Sequence, residues 1–280
     1  MQQLKFALIG DGRIAQYHRK AIGHVGGEIV CVIDPKYKYR EQKYPHHVSK
    51  LSDFVLMNSI GLWNQIDYFV IASPSNYHRS QIQYLLNCSY SMGKPFQIIC
   101  EKPAFLPWEL PILEGNDRIN IVLQLSYLPD LPKKAKTVFV HGVRDDAYWD
   151  CWQGDPKKSG GVFFHLFIHY IHLAMLLDAD FEGLVTKDGT QERYIGTEWS
   201  WPKEVWSDSD RFIADKDKYD LLNIDTQFLY NRMYEAILEG KGIKPSDLYY
   251  LNWILARNSE IFGYGKSAIG KTIKIGRELL

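Results

Sequence analysis

Gly10-Asp11-Gly12-Arg13-Ile14-Ala15 follows directly on the apolar run Leu4-Lys5-Phe6-Ala7-Leu8-Ile9. A strand that empties into a glycine turn and then a helix admits few folds. Gly10 permits a tight turn at positive φ. Gly12 lets backbone amides approach a pyrophosphate, and Ala15 lets the new helix pack closely on the strand. The helix start offers unpaired N–H groups and the positive end of its dipole to phosphates, with Arg13 and Ile14 in its first turn. A second strand is expected over residues 28–33, ending in Asp34. That acid lies roughly 20 residues past the glycines, where a carboxylate that hydrogen-bonds an adenosine ribose belongs. A glycine turn can also sit in a doubly wound domain that binds no phosphate; the concordance of strand, turn, helix and acid favours a dinucleotide.

Strand and helix alternate through the first half of the chain. Strands are expected at residues 4–9, 28–33, 68–73, 96–100 and 120–125. Helices are expected at 13–22, weakly at 51–58, at 76–88 and briefly near 108–113. Short apolar strands separated by helices indicate a parallel sheet covered on both faces. Right-handed crossovers make it an α/β Rossmann sheet, doubly wound, with its ligand crevice at the strand C-terminal ends. Ser73-Pro74-Ser75-Asn76, with His78 just beyond, and Cys100-Glu101-Lys102-Pro103 are both such ends, so both are expected to face the cofactor.

Composition shifts near residues 128–134, with two prolines and two lysines, and the domain boundary is placed there: 1–127, then 128–280. Beyond it come a strand at 137–143, a tryptophan-rich loop and a long helix at 162–177. Strands at 181–187, 192–199 and 211–215, helices at 225–238 and 245–262, and a closing strand at 272–275 complete the chain. Strands and helices in blocks read as an α+β domain with an open, mainly antiparallel sheet, one face of it free for substrate or a second subunit.

Of the 280 residues 46% are apolar and 24% charged, and the formal net charge is zero. No basic field exists to draw nucleic acid or an anionic membrane. Cys31, Cys88, Cys100 and Cys151 show no CxxC spacing and read as reduced thiols of a cytoplasmic protein. The first strand begins at once, which leaves no room for a signal peptide. The apolar stretch 162–177 is short for a bilayer and carries three histidines, so a buried helix is expected.

Three groups of residues suit chemistry. Lys102, at the end of a parallel strand, could hydrogen-bond a reacting hydroxyl and stabilise its developing alkoxide; a surface Lys-Pro turn is the plainer reading. Lys157-Lys158-Ser159-Gly160-Gly161 could cradle an anion at the start of a helix that carries His165, His169 and His172 at i, i+4 and i+7. His169 could take a hydroxyl proton, because imidazole titrates near neutrality. The HxxxH spacing also fits a metal pair, but no acidic third ligand lies close in sequence, and no metal is expected. Trp152, in the loop Tyr148-Trp149-Asp150-Cys151-Trp152, could stack on a base or sugar or pack in the core. Trp199, Trp201 and Trp206 are expected in the sheet.

Together these residues resemble the glucose–fructose oxidoreductase / inositol dehydrogenase family, Gfo/Idh/MocA. That family carries GxGxxA, EKP and a GGxxxDxGxHxxD helix in this order. Gly10–Ala15, Glu101–Pro103 and Gly160–His172 fall on the three. Within it the resemblance runs to UDP-N-acetylglucosaminuronate 3-dehydrogenases, through Ser73-Pro74-Ser75-Asn76, Asn120-Ile121-Val122-Leu123-Gln124-Leu125 and Trp152-Gln153-Gly154-Asp155-Pro156-Lys157-Lys158-Ser159-Gly160-Gly161. The resemblance implies NAD as cofactor and oxidation of a ring hydroxyl of a sugar or sugar nucleotide in a surface-polysaccharide pathway. It implies a homo-oligomer, dimer or tetramer, built through the second sheet. Lys102 and His169 would be catalytic. Gly10, Gly12, Arg13, Ile14, Ala15, Asp34, Ser73, Pro74, Asn76, His78, Glu101 and Lys102 would hold the cofactor. Trp152, Lys157, Lys158, Ser159, His165, His169 and Tyr230 would meet the substrate.

Departures from the family pattern are concentrated at substrate-facing positions. His165 stands for Asp or Asn, Phe167 for a glycine, His172 for the final Asp, Ser126-Tyr127-Leu128 for an Arg-His-His-like triplet, and Tyr230 for a helix histidine. Phe167 is expected to narrow or refill the pocket. These departures leave a second reading open, a family member that binds NAD or a sugar nucleotide as a sensor or assembly partner without turnover.

Overall fold

A computed structural model describes residues 3–37, 46–56, 61–110, 112, 116–186, 211–214, 217–220, 224–249, 251, 253, 255 and 272–279. The chain divides into two units. The first takes Met1–Tyr127 with Thr226–Tyr249, the second Leu128–Asp225 with Tyr250–Leu280.

Strand β1 (Lys5–Ile9) is apolar and buried from Phe6 onward, because the first unit's sheet is covered on both sides. It leads into α1 (Ala15–His24) and β2 (Glu28–Ile33), followed by β3 (His46–Val48), α2 (Leu51–Leu56) and β4 (Tyr68–Ile71). The second half of the unit runs α3 (His78–Met92), β5 (Gln97–Cys100) and β6 (Ile119–Ile121). All six strands are parallel, in the order β3-β2-β1-β4-β5-β6. The order reverses between β1 and β4, and ligands of open α/β sheets bind outside the strand ends at such a switch point. The expected Rossmann sheet is therefore what the first unit contains. The edge strand β3 has only three residues and gave no apolar run to read. Residues 108–110 are not helical, and strand β6 stops at Ile121, with Gln124–Tyr127 winding into a 3-10 turn.

Helix α7 (Thr226–Leu238) completes this unit. Its Tyr230, Met233, Tyr234 and Ile237 join Phe6, Leu8, Ala15, Ile22, Val70 and Val122 in one core, and the helix lies against α1. Residues 226–238, expected in a second domain spanning 128–280, cluster with the first unit instead. Spacing at i, i+3, i+4 and i+7 shows that one face is buried, not which sheet it is buried against.

The second unit contains β7 (Thr137–Val143), short helices α4 (Asp146–Asp150) and α5 (Pro156–Ser159), α6 (Ile168–Leu176) and strands β8 (Asp180–Thr186), β9 (Arg211–Ala214), β10 (Asp217–Asp220) and β11 (Thr272–Ile275). Its sheet runs β10-β9-β7-β8-β11; the β7–β8 pair is parallel and the rest antiparallel, in line with the expected α+β class. The apolar stretch Pro156–Leu176 is long and apolar enough to cross a membrane by length and composition, but most of it is buried inside this unit, with α6 against β7 and β8. The helix expected at 162–177 opens with a π turn, Phe163–Phe167, before α6 begins. The strand expected at 192–199, with Trp199, Trp201 and Trp206, lies outside the described residues, as does most of the helix expected at 245–262 beyond the 3-10 turn Pro245–Leu248.

Candidate functional site

Gly10 sits at φ +88°, and a Cβ added there would lie 2.7 Å from Ala72 O and Ser73 N. The turn leaving β1 passes so close to the end of β4 that only glycine fits. A Cβ at Gly12 would meet nothing within 4 Å, so the protein leaves open space there. Helix α1 has no side-chain N-cap; in its first turn Gln16 N donates to Arg13 O at 3.3 Å and Tyr17 N to Ile14 O at 3.1 Å. Ala15 is buried beneath the helix, Ile14 is half-buried and Arg13 exposed. Asp34 ends β2 with its carboxylate held by two amides, Asp11 N at 2.7 Å and Lys36 N at 2.9 Å. Carboxylate oxygens accept more than one bond each, so capacity remains for hydroxyl donors.

Asp11, read only as the spacer of the motif, holds the turn together. Its carboxylate receives Arg19 Nε at 3.1 Å, the Tyr37 hydroxyl, and Lys36 Nζ at 2.9 Å. Burial pushes this carboxyl up, but Tyr37, Lys36 and Arg19 together outweigh it and hold the group below its ordinary range.

At the end of β4, Ser73 donates its hydroxyl to Gln81 Oε1 at 2.7 Å, beside half-buried Pro74. The Asn76 Oδ1 atom and the Ser75 hydroxyl are buried and lack a hydrogen-bond partner among the described residues. A buried amide oxygen without a donor is an open demand. With the glycine-only turn and the open space at Gly12, it makes this edge of the sheet fit a dinucleotide.

Two residues expected to touch the cofactor are turned inward instead. His78 is 1% exposed, and its ring nitrogens meet Pro103 O and Ser73 O, each at 2.7 Å. Each nitrogen faces a backbone carbonyl, so the ring braces the loops after β4 and β5. Glu101 is 5% exposed. Its Oε1 accepts from the Tyr230 hydroxyl at 2.6 Å and meets His18 Nε2 at 3.1 Å, while His18 Nδ1 contacts the Tyr234 hydroxyl at 2.7 Å. Glu101 ties the end of β5 to α1 and α7. Tyr230, expected to meet substrate, is fully buried in that network. Lys102, next along, is half-buried at the strand end.

In the second unit the structure brings Trp152 and His165 together, ring centroids 5.4 Å apart and perpendicular. The Tyr148 hydroxyl stands 3.3 Å from His165 Nδ1, and Gln153 Nε2 stands 3.4 Å from His165 Nε2. His169 and His172 are buried on α6. The π turn takes His165 out of α-helical register with them, so i, i+4, i+7 spacing does not describe the three. Lys157 and Lys158 are exposed, with Lys158 Nζ 3.5 Å from Asp155 Oδ2. Ser159, expected to touch substrate, is fully buried; its hydroxyl donates to Asp155 O and accepts from Gly161 N, both at 3.0 Å. Phe167, expected in the pocket, is buried against Phe181 of β8 at 5.8 Å between ring centroids. Among the described residues no three His, Cys, Asp or Glu side chains gather as metal ligands.

Residues 4–110 match the family model described as oxidoreductase family, NAD-binding Rossmann fold, of Gfo/Idh/MocA. No curated protein matches the chain. Among solved structures, the WlbA (WbpB) dehydrogenase from Thermus thermophilus, in complex with NAD and UDP-GlcNAcA, superposes with a TM-score of 0.69 at 22% identity, over 91% of this chain and 94% of its own. WlbA from Bordetella pertussis, in complex with NADH and UDP-GlcNAcA, gives 0.59 at 18% over 98% and 99%. A myo-inositol dehydrogenase from Corynebacterium glutamicum gives 0.59 at 15% over 98% and 99%. At these identities the likeness speaks for the fold.

Proposed function

We propose that the chain, whose residues 4–110 match the model of the NAD-binding Rossmann fold of the Gfo/Idh/MocA oxidoreductases, is an NAD-dependent dehydrogenase of a sugar ring hydroxyl. The observation that carries the proposal is the turn at the β1–β4 switch point, glycine by necessity at position 10, with Lys102 ending β5 in the same sheet. NAD, when bound, supplies the hydride acceptor. Lys102 holds the reacting hydroxyl and stabilises its negative charge. His169 takes the hydroxyl proton. Asp34 accepts from the adenosine ribose hydroxyls, and its charge disfavours a 2′-phosphate.

For substrate we propose a sugar nucleotide of the UDP-N-acetylglucosaminuronate kind. The WlbA dehydrogenases that share the fold along nearly their whole length were solved with that sugar nucleotide. The Trp152–His165 pair and the exposed Lys157 and Lys158 suit a sugar face and an anion respectively. We place the enzyme in the cytoplasm as a homo-oligomer assembled through the second sheet.

Purified protein is mixed with NAD and a panel of UDP-sugars, UDP-GlcNAcA included, and reduced cofactor is read by absorbance. Turnover on one of them is expected. Lys102→Ala should lower it by about 10²- to 10⁴-fold while NAD still binds. Equal loss of NAD affinity would defeat the role given to Lys102. Binding of NAD and a UDP-sugar with no turnover across the panel would replace the dehydrogenase by a sugar-nucleotide binding protein.

A further inference from the structure

Lys36 lies two residues past Asp34, the acid at the ribose end of the expected cofactor. Sites for 2′-phosphorylated dinucleotides place a cation beside this position to receive the phosphate. On sequence, then, Lys36 argues for NADP while Asp34 argues for NAD. The structure shows where the lysine charge goes. Lys36 Nζ stands 2.9 Å from Asp11 Oδ2 and also donates to Asp11 O, inside the glycine turn. The Asp11 side chain is 8% exposed, against 49% for Lys36. Water therefore does little for this carboxylate, and it depends on Lys36, Arg19 and the Tyr37 hydroxyl. Drawing Lys36 out to a phosphate would leave a buried anion with one cation fewer, and buried charges are stable only when paired.

We propose that Asp11 is a specificity-determining residue: it competes internally for the Lys36 ammonium, withholds it from the adenosine 2′ position, and so makes the site choose NAD over NADP. The inference rests on the dinucleotide reading of the turn and goes beyond it, because it names the residue that sets the choice. Asp34 repels a 2′-phosphate directly, and Asp11 removes the neighbouring attraction. The Tyr37 ring lies 5.1 Å from Lys36 Nζ and 4.4 Å from the His47 ring, which keeps the lysine on this side of the loop.

Dissociation constants for NAD and NADP are measured by calorimetry on the full-length wild type, Asp11→Asn, Lys36→Ala and the double variant. The quantity compared is the ratio of the NADP constant to the NAD constant within each protein, which cancels a general loosening of the turn. The wild type is expected to favour NAD. Asp11→Asn keeps the shape and removes the charge, so the ratio should fall about tenfold, the worth of one hydrogen bond to a charged group. The double variant should return to the wild-type ratio, because the released lysine is gone. Lys36→Ala alone, which leaves Asp11 in place and does not depend on the folding of the Asn variant, should leave the ratio within about twofold of wild type, too small a change for one charged hydrogen bond. A tenfold rise with Lys36→Ala alone would overturn the proposal, since Lys36 would then already serve the phosphate. An unchanged ratio in a folded, NAD-binding Asp11→Asn would overturn it too. A wild type that binds neither dinucleotide would instead remove the reading of the turn itself, which is a different result from a flat ratio.

Discussion

A carboxylate as buried as Glu101 persists only among donors, and Tyr230 at 2.6 Å and His18 at 3.1 Å surround it. Burial pushes its carboxyl up, but the His18 and Tyr230 hydrogen bonds and the Lys102 charge bring it below its ordinary range. A carboxyl lowered by folding adds stability above its unfolded titration point and loses it as pH falls through the folded value. Tyr230→Phe removes one donor, so the folded carboxyl should rise and the variant should lose about 1–3 kcal/mol at neutral pH. That deficit should narrow at acid pH, as the folded carboxyl protonates first in the variant and then in the wild type, because the unfolded chain titrates alike in both proteins. Urea unfolding at the two pH values checks it; a constant deficit would mean the charge on Glu101 is not what Tyr230 supports. The cysteines divide in the same way by environment. Burial pushes Cys31 up to about 12 and Cys100 well above its ordinary value, while Cys151 is exposed. A thiol reagent at neutral pH should therefore label Cys151 in the folded protein and reach Cys31 and Cys100 only on unfolding, as peptide mapping would show. Gly10 was legible from sequence because a backbone conformation demands it. Glu101, His78 and Tyr230 were not, since a polar side chain beside a strand end can turn to the ligand or to the core, and only the partners decide.

The helix of the second unit shows what periodicity conceals. A five-residue π turn changes the angle between successive side chains, and within so short a stretch no sequence pattern separates it from an α turn. Phe167 closes that turn and points to the sheet, where Gly183 on β8 makes room. A Cβ at position 183 would lie 2.7 Å from Phe181 Cζ and 3.1 Å from Phe167 Cε2. The phenyl group at 167 and the missing side chain at 183 are thus one packing solution. Gly183→Ala should cost about 1–3 kcal/mol by overpacking. Phe167→Ala should cost about 3–5 kcal/mol through the cavity it leaves. Because the two sites touch, the penalty of Gly183→Ala should shrink when Phe167 is already alanine, in a double-mutant cycle of urea unfolding. Strictly additive penalties would show that Phe181 alone, not Phe167, limits the space at 183. The strands of the first sheet were easier to read, since β1, β2, β4 and β5 are apolar runs buried from both sides; β3 and β10, short and polar, carry no such run.

At the scale of the whole chain, the first unit is closed by residues that come about a hundred positions after the strand β6 that ends its sheet, the residues between them folding as the larger part of the second unit. Helix α7 buries Tyr230, Met233, Tyr234 and Ile237 in the core around Phe6, Leu8 and Ile22, and supplies the donor that Glu101 needs. Take α7 away and the unit exposes the apolar side of α1 and leaves a carboxylate buried with one partner fewer. A fragment of residues 1–127 holds every strand of the Rossmann sheet and the whole glycine turn, so by sequence pattern alone it should fold and bind NAD. By the structure it should not: it should lack a cooperative urea transition, bind a hydrophobic dye and show no NAD binding by calorimetry. The same fragment joined to residues 226–249 through a glycine-serine linker should regain a cooperative transition. Cooperative folding of 1–127 alone would mean that α7 merely covers a finished core. Rescue by the added segment, abolished again by Tyr234→Ala and Ile237→Ala together, would show that the nucleotide-binding turn is held in shape by a helix the chain delivers only near its end.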